Sequence, residues 1–288
     1  MEFDWSNPSS WTWFQGDLNE YYNELIRSDS KRNPQEISSY AVHRWLGKDK
    51  STLVHYELIH GTIQHVIIGN DSDHRNNLRV LDAGCGLGAG RMWFETYAAE
   101  SWTLVGHTIS TAQLDFIQNK IPSLQFDAVL KSYDDLDVCK KDGARFDAMY
   151  SIEAFVHSPD ERNTLKQWSE ALAKGGIIVI IDDFLSVGVD KEAEDVQLYA
   201  KSWMSNVLLT TSSLADMAET FGLELIIDRD LGSEYQVVKR NYRNKLPDIR
   251  PTKEKHHQGW LGSGMRQRLM VQGKLTYRMV VFQKKGQK

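Results

Sequence analysis

The spacing of apolar and polar positions changes once along the chain. Between residues 52 and 68, Val54, Leu58, Ile59, Ile63, Val66 and Ile67 recur at roughly helical spacing, which predicts an amphipathic helix. Gly69-Asn70-Asp71-Ser72 stops it, and residues 71–77 read as a polar loop. The stretch before this helix is crowded with Trp5, Trp11, Trp13, Phe14, Tyr21 and Tyr22 and shows no strand pattern. From residue 78 onward, short apolar runs alternate with helical ones. The runs predict strands at Arg79–Ala83, Thr103–His107, Leu124–Leu130, Phe146–Ser151, Ile177–Asp182, Leu223–Arg229 and Leu275–Gln283. Helices are expected at Arg91–Ala99, Ser110–Lys120, Glu161–Leu172 and Leu214–Phe221, with Ser212-Ser213 capping the last and Gly222 ending it. Gly175-Gly176 is expected to break the chain just before the fifth strand. Such alternation implies an α/β layer around a mostly parallel sheet.

Residues 233–268 depart from this alternation, mixing Tyr235, Tyr242 and Trp260 with Lys239, Arg240, Arg243, Lys245 and Arg250. A long, weakly periodic segment inside a compact domain is commonly functional, so it is expected to act as a lid. The expected organisation is a helical N-terminal cap over 1–78 and a core over 79–288 that carries the lid.

Composition narrows the function classes. The 288 residues are 41% hydrophobic and 25% charged, which suits a folded globular chain. A net charge of −5 lacks the basic footprint of a nucleic-acid binder. No apolar run approaches the ~18 residues of a membrane span. The acidic, aromatic start is unlike a secretory signal, so a cytoplasmic protein is expected. Cys85 and Cys139 are too few for a disulfide framework or a zinc site. His55, His60 and His65 resemble a metal series, but successive members of a five-residue series turn by about 140° on a helix. No metal site is therefore expected. Nucleophile-elbow and Walker-type phosphate loops are absent from the sequence.

The chemistry concentrates in Val80-Leu81-Asp82-Ala83-Gly84-Cys85-Gly86-Leu87-Gly88-Ala89-Gly90, an apolar strand that runs into Gly-x-Gly-x-Gly before a helix. Glycines let a ligand approach the backbone, and the helix N-terminus offers free N–H groups to an anion. A dinucleotide fingerprint requires G-x-G-x-x-G and an acidic residue at the end of the second strand. The third glycine is missing at that spacing, and the second strand ends Val105-Gly106-His107-Thr108. A nicotinamide oxidoreductase is disfavoured accordingly.

The D-x-G-x-G-x-G pattern starting at Asp82 resembles motif I of class I S-adenosylmethionine-dependent methyltransferases. Gly106-His107-Thr108-Ile109-Ser110-Thr111-Ala112-Gln113 is similar to the G-x-T-L-S-x-x-Q segment of cyclopropane-forming, tocopherol and isoprenoid methyltransferases, with Ile109 in place of Leu. Tyr150-Ser151-Ile152-Glu153-Ala154-Phe155-Val156-His157-Ser158-Pro159 resembles the Tyr-x-Ile-Glu-Ala-Thr-x-His-x-Pro run of sterol C-methyltransferases. The resemblance spans about residues 40–285. It implies a Rossmann-like seven-stranded sheet with helices on both faces and an antiparallel last strand beside Leu223–Arg229.

It also implies S-adenosylmethionine as cofactor, cradled by Asp82, Ala83, Gly84, Gly86 and Gly88. His107, Thr108, Ile109 and Gln113 would border the ribose, and Ser132, Tyr133 and Asp134 the adenine, with Asp135 as the fallback to Asp134. Glu153 and His157 are the catalytic candidates. Four residues apart, they would share a face if their segment were helical. Methylation of an alkene carbon leaves a carbocation that π faces or a carboxylate would stabilise before a base takes a proton. The aromatics Trp5, Trp11, Trp13, Tyr21, Tyr22, Trp45, Trp203, Tyr235, Tyr242 and Trp260 suit a large apolar acceptor. The implied function is methylation of a small apolar molecule, preferably at an alkene carbon of an isoprenoid. N- or O-methylation of a natural product or quinone-like compound is the first alternative, and a non-catalytic cofactor-binding module the second. A homo-oligomer is left open.

Overall fold

In the computed structural model, residues 18–28, 40–41, 46, 52–69, 77–98, 102–120, 127–136, 145–237 and 258–286 are described. Trp5, Trp11, Trp13, Trp45, Tyr242, Cys139, residues 124–126 of the third expected strand and the basic stretch 239–255 lie outside these residues, as does the side chain of Trp260.

The elements run α1 (Leu18–Ser28), α2 (Val54–Ile63), β1 (Arg79–Ala83), α3 (Ala89–Tyr97), β2 (Thr103–Thr108), α4 (Thr111–Lys120), β3 (Asp127–Leu130), β4 (Phe146–Ile152) and α5 (Glu161–Ala171). They continue with β5 (Leu172–Leu185), α6 (Glu194–Trp203), α7 (Thr211–Glu219), β6 (Leu223–Asp230), the single turn α8 (Leu231–Glu234), α9 (Gln258–Val271) and β7 (Leu275–Lys284). The seven strands form one sheet in the order β3-β2-β1-β4-β5-β7-β6. β1 to β5 pair in parallel, whereas β7 is inserted antiparallel between β5 and β6. This is the class I methyltransferase-like fold, with the last strand antiparallel and beside β6.

The apolar run Ile177–Ile181 explains why β5 is central. Ile177, Val179 and Ile181 enter one core cluster with α2, α3, α6 and α9, while Ile178 and Ile180 enter the other with α5 and α7. A strand buried on both faces is apolar without alternation. Tyr56, Ile59 and Ile63 of α2 belong to the first cluster, with Val54, Leu58, Val66 and Ile67 partly buried against it, but the α-helix expected over 52–68 ends at Ile63 and the chain continues as a wider π turn over Gln64–Ile68.

Three local expectations need correction. β5 begins at Leu172, five residues earlier than expected, and continues through Gly175-Gly176. Its register against β4 shifts there, so the glycines mark an irregularity inside the strand. Thr210, rather than Ser212-Ser213, caps α7 by accepting the Ser213 N–H. In the expected lid, residues 258–268 belong to α9, whose Met265 and Leu269 are core residues.

Candidate functional site

Parallel strands end their loops at one edge of the sheet, and the ends of β1, β2 and β4 lie side by side there. A cavity opens at this edge. It is bordered by the glycine loop (Asp82, Gly84, Cys85, Gly86), the end of β2 (His107, Thr108, Ile109), Gln113 of α4 and Tyr133. The loop after β4 contributes Ile152, Glu153, Ala154 and His157. Aromatic walls come from Tyr21, Tyr22, Tyr40, Tyr56 and Trp203.

Of the residues expected around a cofactor, Asp82, Gly84, Gly86, His107, Thr108, Ile109, Gln113 and Tyr133 therefore border one space. Ala83 is buried in the second core cluster. Gly88 caps α3. Ser132 and Asp134 are half-buried in the turn after β3 and do not border the cavity, although Tyr133 between them does. Asp135 is exposed and pairs with Lys131. Tyr235 packs against the first core cluster away from the cavity.

The glycine loop fits its place for steric reasons. Gly84 has φ +89, and a Cβ there would lie 2.5 Å from that of Ala154. The glycine loop and the loop after β4 thus touch through a missing side chain. Gly90, inside α3, lets that helix press on the Asp82–Tyr150 pair, since its Cβ would sit 2.3 Å from the Tyr150 hydroxyl. The Tyr150 O–H donates to Asp82 Oδ2 at 2.7 Å. Burial nevertheless pushes the Asp82 carboxyl up to about 7, with that hydrogen bond pulling the other way. His107 is driven down to about 4, chiefly by burial, and Cys85 is pushed up by burial and by Asp82.

The loop after β4 is held by a dense set of bonds. Glu153 has φ +49, a left-handed backbone that non-glycine residues seldom adopt, and its N–H donates to the Ile181 carbonyl at 2.8 Å. Asp182 Oδ2 accepts the Val156 N–H at 2.9 Å, and the Tyr133 O–H donates to the Ala154 carbonyl at 2.7 Å. Residues 155–157 form a single 3-10 turn. Glu153 and His157 are therefore not stacked on an α-helical face, and their side chains engage different partners.

Glu153 Oε2 accepts from Arg266 Nη1 at 2.7 Å, and Arg266 Nε donates to Asp183. The guanidinium also lies over the rings of Trp203 and Tyr277. Burial opposes its charge, but Asp183 and then Glu153 outweigh that and hold it firmly protonated. Sequence reasoning missed Arg266. It is the residue of α9 that reaches the loop after β4, and only its position in a segment of weak periodicity hinted at a function.

His157 is buried and lowered from the usual imidazole range, first by burial. Its Nδ1 lies 2.8 Å from the Met204 carbonyl, which can only accept, so Nδ1 carries the proton. Nε2 then accepts from the Tyr22 O–H at 3.3 Å. Asn23, the next residue of α1, accepts from Ser110 Oγ at 2.8 Å and from the Ala112 N–H at 3.0 Å. α1 is thereby fixed across the cavity mouth at two points. Of the His series, His55 is buried between the Thr52 carbonyl and the Tyr277 hydroxyl, at 3.0 and 2.7 Å, so both of its ring nitrogens are engaged within the fold.

Residues 41–227 match the methyltransferase domain family over well over half of the chain. The chain belongs to the methyltransferase family. It is 27% identical over 127 residues to tocopherol O-methyltransferase of Arabidopsis thaliana, a match covering 43% of this chain and 35% of that protein. The chain spans little more than a third of the length of the first curated relatives it matches. The putative sarcosine dimethylglycine methyltransferase of Galdieria sulphuraria superposes with a TM-score of 0.68 at 16% identity, over 93% of this chain and 99% of that one. Geranyl diphosphate C-methyltransferase from Streptomyces coelicolor A3(2) gives 0.64 at 14% identity, over 94% and 98%. At these identities the superpositions speak for the fold. Among the described residues, no helix is long and apolar enough to cross a membrane.

Proposed function

We propose that the protein transfers the methyl group of S-adenosylmethionine to a small apolar acceptor, preferably an alkene carbon of an isoprenoid. The observation that carries this reading is the cavity in which the glycine loop meets Glu153 among aromatic rings. The family match, the tocopherol relative and the geranyl diphosphate neighbour support it. The cradle suits that cofactor by its own geometry. Gly84 and Gly86 border the space with left-handed backbone, and Thr108 and Gln113 are already hydrogen-bonded to each other beside it, at 2.6 Å. Asp82, Gly84, Gly86, His107, Thr108, Ile109, Gln113 and Tyr133 would hold the cofactor, with Tyr133, rather than its neighbour Asp134, reaching the cavity from the turn after β3.

The bound cofactor supplies an electrophilic methyl on a sulfonium. The protein orients the acceptor towards it and keeps water out. Aromatic faces from Tyr21, Tyr22, Tyr40 and Trp203 suit an apolar acceptor and a developing cation. Neutral His157 is placed to take a proton through the Tyr22 hydroxyl. A second reading, N- or O-methylation, draws on that same pair, because a hydroxyl or ammonium acceptor must lose a proton and needs no carboxylate facing a carbocation.

The test is labelled S-adenosylmethionine with three acceptors: geranyl diphosphate with Mg²⁺, γ-tocopherol and dimethylglycine. Label in the first supports the carbon-methylating reading, as does label on a ring carbon of the second; label only on the phenol oxygen of the second or the nitrogen of the third replaces it.

Asp82 offers a check on cofactor placement. The cofactor's α-ammonium is the cation this carboxylate would meet, and a cation lowers a carboxyl pKa. Binding S-adenosylhomocysteine near pH 7, where this carboxyl is about half protonated, should therefore release about half a proton, measured by calorimetry in buffers of different ionisation enthalpy. Asp82→Asn should abolish the release. The same shift makes the ligand-free fold lose stability as pH rises from about 4 to about 7, because the folded carboxyl holds its proton more tightly than the unfolded one.

A further inference from the structure

Arg266 lies outside the sequence motifs that mark the site, yet its charge reaches the loop after β4. Its guanidinium is bonded to Glu153 at one end and Asp183 at the other, with both ion pairs almost fully buried. Trp203 borders the cavity and stacks on the same guanidinium. Glu153 borders the cavity and Arg266 does not. We propose that Arg266 is a positioning residue that acts through Glu153: it fixes this carboxylate in its left-handed turn and offsets the negative charge that the cavity presents to the sulfonium cofactor.

This inference rests on the methyltransferase reading and on Glu153 facing the cofactor's reactive end. Its physical motive is the movement of charge during the reaction. As the S–CH3 bond breaks and the acceptor–CH3 bond forms, positive charge leaves sulfur, and S-adenosylhomocysteine departs with neutral sulfur. An unpaired carboxylate in the cavity would bind the sulfonium ground state more tightly than a transition state whose sulfur has shed part of its charge, and so slow transfer. Arg266 reduces that ground-state preference while holding the carboxylate in place. Charges that border a buried cavity are weakly screened by salt and solvent.

The experiment uses the two forms of the cofactor as probes and needs no acceptor. Calorimetric titration gives the ratio of S-adenosylmethionine to S-adenosylhomocysteine affinity for wild type and variants. Glu153→Gln should lower this ratio about five- to tenfold. Arg266→Met should raise it by a similar factor, about five- to tenfold. Arg266→Lys should stay near wild type. Arg266→Met removes the cation that two buried carboxylates share and puts folding at risk, so the double variant Asp183→Asn/Arg266→Met is the companion: it removes one charge of each sign and should still raise the ratio. If both affinities move in parallel in these variants, Arg266 is only a structural tie and the proposal is overturned. A wild type that binds neither form overturns the methyltransferase reading itself, a distinct result. Failure of the acceptor panel leaves these ratios unaffected.

Discussion

Glu153→Gln should lower single-turnover methyl transfer by about two to three powers of ten while leaving S-adenosylhomocysteine affinity nearly unchanged. The substitution keeps shape and removes charge. Arg266 retains Asp183 as an ion partner, and the Gln oxygen can still accept its N–H, so no buried guanidinium is left unpaired. The fold should therefore survive, which a melting curve checks. What is lost is a carboxylate facing a developing cation in a water-excluded cavity, an interaction typically worth about 3–4 kcal/mol. The rate is measured on whichever acceptor takes label. Near-wild-type turnover on an alkene would sink the carbocation role and favour the Tyr22–His157 pair as the chemically active group. Loss of S-adenosylhomocysteine binding would move Glu153 to the cofactor-holding set.

The second large effect belongs to Gly84→Val. A β-branched residue at φ +89 is strained, and its Cβ meets the Ala154 Cβ at 2.5 Å. Each term costs about 1–3 kcal/mol, so cofactor affinity should fall by at least ~30-fold. Two loops are displaced together, because Ala154 adjoins Glu153. The variant should thus lose cofactor binding and the position of Glu153 at once. Gly84→Ala should show a smaller loss in the same direction. Undiminished S-adenosylhomocysteine affinity in a folded Gly84→Val protein would show that this loop is not the cradle.

Features written in contiguous residues were legible. The apolar run into Gly-x-Gly-x-Gly carried β1 and its loop. The run from Tyr150 to Pro159 carried the loop after β4, and the seven strands were readable from their apolar runs. Long-range partnerships were not. Glu153 and Asp183 lie 113 and 83 residues from Arg266, which sits in a helix with too weak a periodicity to reveal its buried side. The same reason hid the pairing of Tyr22, itself among the expected site aromatics, with His157, which lies 135 residues away. Treating Glu153 and His157 as helical neighbours failed because the left-handed residue at 153 turns the chain before any helix can form. The cap of α7 was misplaced by two residues because Thr210, Ser212 and Ser213 are chemically equivalent candidates close together, and their hydroxyls do cluster around Thr210.

The insertion of β7 between β5 and β6 has a consequence for how the chain matures. Among the described residues β6 has no other strand neighbour, so it stays detached from the sheet until β7, later in sequence than every other strand, arrives between them. Until then one edge of β5 is unpaired along Ile177–Leu185, an apolar template of the kind that recruits foreign strands. α9 precedes β7 directly, so Arg266 reaches Asp183 and Glu153 at the same late stage. A partly emerged chain could hold a nearly complete glycine loop and still lack the cation that pairs with Glu153. Its half-built sheet would be the form most prone to aggregate, and a chaperone would find its binding surface on the uncovered edge of β5.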